Sequence, residues 1–116
     1  MEASSSARHE TWLWLAQRAS ALVLALCVVV HLITIIYATR GGLSGAEVLG
    51  RTRGNAAWLT FYAVFVLAVA VHVPIGLRTI AIEWLGWRNR ARDWTLIVVA
   101  VALAVTGFAA TWGVFR

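Results

Sequence analysis

Two histidines lie inside long apolar runs of this chain, His31 within ALVLALCVVVHLITIIYA and His72 within WLTFYAVFVLAVAVHVPIGL. An ionisable ring is costly in hydrocarbon and is kept there where it has a partner or a task. Neutral imidazole is a common protein ligand for metals and for haem iron. Two such rings in a small apolar chain point to haem binding, which would hold both uncharged and weaken at low pH. The third histidine, His9, belongs to the polar start of the chain and reads as solvated. The lone cysteine, Cys27, allows no intrachain disulfide and reads as a small packing residue.

The elements that must position these rings follow from composition. Of the 116 residues, 61% are hydrophobic and 13% charged, and mean hydropathy is +0.80. Soluble domains carry about a quarter charged residues. The chain therefore reads as an integral membrane protein, all-α, with a single domain over residues 1–116. Three segments, about 13–37, 56–85 and 94–115, each reach the roughly 20 residues that span about 30 Å of hydrocarbon as a helix. Backbone groups in lipid must pair internally, so each is expected to be helical despite its Val and Ile content. Tryptophans stand at the borders, at positions 12, 14, 58, 84, 87, 94 and 112, where aromatic belts form at headgroup level.

All ten basic residues are arginine, for a net charge of +5. They sit in the connections between apolar runs, which argues for lipid headgroups or acidic partner surfaces and against nucleic acid. Arg8, Arg18, Arg78, Arg88, Arg90 and Arg92 fall on the N-terminal side, and Arg40, Arg51, Arg53 and Arg116 on the other. That bias predicts a cytoplasmic N-terminus, and the expected location is a bacterial inner membrane. The polar, mixed-charge start and the long first run do not resemble a signal peptide, so the first run is expected to be a retained helix. The first loop predicts a short interfacial helix from Ser44, with Ser44 as N-cap and Glu47 at N3.

A step of 100° per residue places Gln17, Ser20, Leu24, Cys27, His31 and Ile35 near one stripe of the first helix, with Thr34 beside it. This polar stripe should face protein. In the second helix, His72 shares a stripe with Phe61, Phe65, Ala68, Gly76, Thr79 and Glu83. Gly76, one turn on, is expected to leave room for a large flat group, and Pro74 to bend the helix near the ring. Ala100, Ala104, Gly107 and Thr111 mark a close-packing face on the third helix. Measured from the middle of each run, the two rings are roughly 15 Å apart along the membrane normal. One metal needs its two nitrogens within about 4 Å. The two histidines therefore cannot grip one iron from the same chain, and each needs its opposite ligand elsewhere.

These residues resemble a family, the membrane anchors of succinate dehydrogenase and fumarate reductase. QRASALVLALCVVVHL is similar to their first helix, which opens on Arg-x-Ser or Arg-x-Thr, here Arg18-Ala19-Ser20. HVPIGLRTIAIEWL resembles their second helix, with His72, Gly76, Leu77 and Arg78 followed by Glu83. The ending TWGV is also similar, and the likeness runs from about Trp14 to Val114.

The resemblance implies that two related three-helix chains clamp haem b between them, one haem or two. It implies an iron–sulfur subunit and a flavoprotein subunit held on the cytoplasmic face, with electrons passing between succinate and quinone. His72 matches the haem ligand of the second helix, and His31 matches a first-helix ligand of the two-haem branch. Arg18, Ser20 and Glu83 match positions near the quinone pocket or the haem propionates. Trp84 stands where the small anchor of the one-haem branch often has tyrosine, and its indole N–H is a bulkier donor. Arg78 falls roughly 120° from His72 around the helix and is expected at the headgroup boundary, pairing a phosphate, a propionate or the iron–sulfur subunit. Two other readings stay open: a haem-free structural anchor of the same complex, and an unrelated three-helix membrane protein such as a small transporter or assembly factor.

Overall fold

In the computed structural model, which describes residues 2–116, four helices follow one another: α1 (Glu2–Arg40), α2 (Gly45–Thr52), α3 (Ala56–Leu85) and α4 (Arg90–Phe115). The described residues form no strand. Helices α1, α3 and α4 are long and apolar enough to cross a membrane. The bundle is an elongated body of 57 × 26 × 23 Å. α3 is central, packing along α4 and along α1.

Burial follows the stripes read from the sequence. On α1, Ser20 and Cys27 are buried, and Gln17, Leu24, His31 and Thr34 half-buried, whereas Ile35 turns outward. On α3, Phe61, Phe65, His72 and Gly76 are half-buried and Ala68 is buried, but Thr79 and Glu83 are exposed. Most large apolar side chains face outward, among them Leu22, Leu26, Ile33 and Val98. That surface suits lipid or a second membrane chain, since association between helices in a bilayer depends on close packing rather than on hydrophobic burial. Such packing is visible where α4 meets α3: a Cβ added at Gly107 would lie 2.7 Å from Val66 Cγ1.

The short α2 has the predicted capping box. The Ser44 N–H donates to Glu47 Oε2 at 2.7 Å, and the Glu47 N–H donates to Ser44 Oγ at 3.3 Å. These bonds, with the Ser44 hydroxyl, hold the Glu47 carboxyl below its ordinary range, helped by Arg51. α2 is tied to the end of α4. Thr52 Oγ1 donates to the Val114 carbonyl at 2.8 Å and the Gly54 N–H to the Phe115 carbonyl at 2.8 Å. Carbonyls that α4 leaves unpaired at its C-terminus are thereby satisfied. Gly54 makes this turn at a φ of 66°, a backbone angle that favours glycine.

Two helix starts precede the apolar runs. α1 begins at Glu2, not near residue 13, because its polar first turns contain good helix formers (Ala, Glu, Arg) that need no apolar stripe to stay helical in water. α4 begins at Arg90, where the Asn89 side chain caps by accepting from the Arg92 N–H at 3.2 Å. α3 continues through Pro74 to Leu85 and ends at Gly86, which is in the left-handed conformation with φ 62°.

Candidate functional site

His31 sits in an aromatic corner at the far end of the bundle from the N-terminus. Its ring meets Tyr62 edge-on at 5.8 Å and Phe65 at 5.7 Å between centroids. Trp58 stacks on Tyr62 at 5.9 Å and Phe61 packs edge-on against it. The Tyr62 hydroxyl stands 3.4 Å from His31 Nδ1. Among the described residues His31 Nε2 has no hydrogen-bond partner. Two cavities, of about 910 and 480 Å³, open against this ring. The larger lies between α1, α3 and α2, lined by Thr34, Trp58, Tyr62 and by Val48, Leu49 and Thr52 of α2. Ligand pockets for drug-sized molecules run to roughly 300–1,000 Å³, so this corner has the space and the free nitrogen that a large planar ligand requires.

His72 lies at another depth. His31 contacts Tyr62 and Phe65, seven to ten residues before His72 on the same helix. At 1.5 Å per residue the two rings are about 10–15 Å apart along α3, in keeping with the separation estimated from the apolar runs. Nδ1 of His72 is buried and has no partner, and neither ring nitrogen makes a hydrogen bond among the described residues. The donor chemistry therefore fits an iron ligand. The space beside it differs from expectation. Gly76 does not leave an open slot: Gln17 of α1 fills the position, its Nε2 3.3 Å from where a Cβ would stand. Gln17 Oε1 is itself buried without a partner. Neither of the two large cavities is lined by His72.

The remaining candidates occupy separate places. Ser20 is 7% exposed and its hydroxyl donates to the Gln17 carbonyl at 3.1 Å. It faces Ala68 and Val71 of α3 across a small apolar cavity. Arg18 is exposed, its guanidinium 5.2 Å from the Trp14 ring. Glu83 and Trp84 are exposed near the end of α3, Trp84 at 83%. Gln17 levels with Gly76, so Ser20 and Glu83 differ in depth by roughly 15 Å. One chain does not bring Arg18, Ser20, Glu83 and Trp84 into a single pocket.

Arg78 has a partner in its own chain, an ion pair with Glu10 of α1 at 2.9 Å. It borders a cavity of about 320 Å³ on the N-terminal side, with His9, Pro74, Arg92 and Asp93. Arg92, read from the sequence as a loop charge, is 8% exposed. Its Nε donates to Asp93 Oδ1 at 2.8 Å and its Nη1 to the Trp87 carbonyl at 3.4 Å. A buried guanidinium requires such pairing. The adjacent Asp93 was the available signal for it. Sequence reasoning also missed Tyr62 and Trp58 as the walls around His31, since nothing in the chain sets the register of α1 on α3.

A family model described as the succinate dehydrogenase/fumarate reductase transmembrane subunit matches residues 2–109. No curated protein and no solved structure matches the chain.

Proposed function

The chain belongs to the succinate dehydrogenase/fumarate reductase transmembrane subunit family, a membrane subunit of an oxidoreductase complex, and from that membership we propose that it binds haem b and carries electrons between the iron–sulfur subunit and quinone. The observation that carries this reading is the pair of imidazoles at two membrane depths, each with a ring nitrogen free of hydrogen bonds. His72 and His31 would each hold a separate haem through its iron, and a second membrane-anchor subunit would supply the remaining ligands. Haem, when bound, supplies the one-electron redox centre.

The chain's own residues do the rest. The His31 ring is held on two edges by Tyr62 and Phe65, which fixes the direction of Nε2. The apolar walls of both helices keep bulk water from the two rings. On the N-terminal side, Glu83 and Trp84 would contribute to the outer part of a quinone site completed by the partner anchor, and Arg18 and Ser20, roughly 12–15 Å deeper, to its inner part. Ser20 keeps its lone pairs for a ligand while its proton is held by the Gln17 carbonyl. The exposed Glu83 carboxylate, close to water, is suited to pass protons to quinone, whose reduction takes two. The arginine bias favours an N-terminus in the cytoplasm of a bacterial inner membrane, where the iron–sulfur and flavoprotein subunits would dock.

A second reading, a haem-free anchor of the same complex, draws on Gln17 filling the space over Gly76. Reduced-minus-oxidised spectra and a haem-to-protein ratio on the complex, purified from membranes, decide between them. A b-type α-band with up to two haems per complex is expected. Its absence would leave only the structural anchor.

A further inference from the structure

Two buried polar atoms on the α1–α3 interface lack partners, Gln17 Oε1 and His72 Nδ1. Helix spacing sets the two groups against one face of α3, a turn apart. The Gln17 amide lies over Gly76, and Gly76 is one helical turn from His72 on the same face of α3, where side chains four apart are about 5–6 Å from each other. An unpaired buried donor or acceptor has lost its water partner without replacement, and in a membrane interior no bulk water relieves it. One atom is an obligate acceptor. The other becomes a donor in one of the two imidazole tautomers.

We propose that Gln17 is the positioning residue of His72. Its side-chain carbonyl accepts the Nδ1–H of the ring, directly or through one water, and so fixes the tautomer that leaves the Nε2 lone pair free for iron. Histidine ligands of metals ordinarily carry such an acceptor on their second nitrogen, which orients the ring and raises its basicity. The glycine at position 76 fits this placement: a Cβ there would lie 3.3 Å from the amide nitrogen, and the amide would have to give by a few tenths of an ångström. Ser20 completes the arrangement by binding the Gln17 backbone carbonyl, which leaves the side-chain carbonyl of Gln17 for His72 alone.

The inference rests on His72 being an iron ligand, and the test separates the two claims. Haem content and the midpoint potential of the haem would be measured on complexes purified through this chain, with Gln17→Leu, Gln17→Glu and His72→Ala. An acceptor on Nδ1–H strengthens donation to iron and stabilises the ferric form. Gln17→Leu, which removes the acceptor, should therefore raise the potential of one haem, while Gln17→Glu, which retains it, stays at or below the wild-type value. Loss of one haem from Gln17→Leu with retention in Gln17→Glu supports the pairing equally. A Gln17→Leu potential that is unchanged or lower, or equal haem loss in both variants, overturns it. Full haem in His72→Ala instead sinks the ligand assignment on which it rests.

Discussion

The Tyr62 hydroxyl oxygen stands 3.4 Å from His31 Nδ1, on a ring set edge-on to its own at 84°. A neutral imidazole carries one proton, so the role of this contact decides what Nε2 can do. If Nδ1–H donates to the phenol oxygen, the Nε2 lone pair is free for iron. Removing such a partner ordinarily costs roughly 10- to 100-fold in metal affinity. Tyr62→Phe should therefore release the haem at His31 during purification and leave the haem at His72, about 10–15 Å along α3, in place. The haem-to-protein ratio would fall from two towards one. A Tyr62→Phe complex that retains both haems through dialysis would contradict this role.

The separation of the two rings makes a second prediction. His72→Ala should lose the haem at His72 and keep the one at His31, and His31→Ala should do the reverse, each falling from two haems towards one. Pyridine haemochrome assays on the two purified variants measure the ratio, and loss of both haems from either single variant would refute separate sites.

Glu83 and Ser20 differ in depth by roughly 15 Å along the bundle, and their environments differ as much. Ser20 is buried with its proton bound, while Glu83 is exposed and makes no ion pair among the described residues. A group without structural contacts is a poor candidate for a folding role. Glu83→Gln should thus lower quinone reductase turnover severalfold while subunit assembly, followed by co-purification, stays at wild-type level. Unchanged turnover would remove Glu83 from the quinone site.

Much of this arrangement was legible in the sequence because membrane helices obey few rules. Hydropathy alone located three spans, since helical backbone is the one form an isolated segment can adopt in lipid. The polar stripe of α1 emerged from a 100° step, and the Ser44–Glu47 box from residue types at fixed offset. What stayed hidden depends on how helices are set against each other. That Gln17 meets Gly76, or Tyr62 meets His31, follows from the relative height of α1 and α3, which no local pattern encodes. Arg92 illustrates the limit of charge counting. It was read as a loop charge on the N-terminal side, yet it lies in the first turn of α4, where Asp93 and the Trp87 carbonyl pair its buried guanidinium.

The capping box of α2 gives a pH dependence. Glu47 lies outside the membrane spans and its carboxyl is held below its ordinary value of 4.5, first by the Ser44 N–H and then by the Ser44 hydroxyl. A depressed folded value means the stabilisation is present above the ordinary value and is lost as pH falls through the lower one. α2 should hold at neutral pH and fray below about pH 4.5. Ser44→Ala should fray it already at neutral pH, by about 1 kcal/mol for a lost N-cap, and flatten the acid transition. Amide exchange over residues 45–52, with Trp58 fluorescence against pH, reads both effects. Identical exchange in the variant would deny the cap its role.

Gly107 supplies the sharpest test of the α3–α4 seam. A Cβ at that position would come within 2.7 Å of Val66 Cγ1 and 2.8 Å of Cγ2. Neither distance can be absorbed by rotation, because a β-branched side chain in a helix has one strongly preferred χ1. Gly107→Ala must therefore drive the helices apart, at about 1–3 kcal/mol for overpacking a tight interface. Removing the two obstructing methyls with Val66→Ala should reverse much of that penalty, although the single Val66→Ala change is itself mildly destabilising. The signature is a coupling: Gly107→Ala costs markedly more beside Val66 than beside Ala at that position. Thermal unfolding of the four proteins in detergent measures it. Additive losses would mean that α3 and α4 do not meet at these two residues, and the depth assigned to every side chain on α4 would have to change with them.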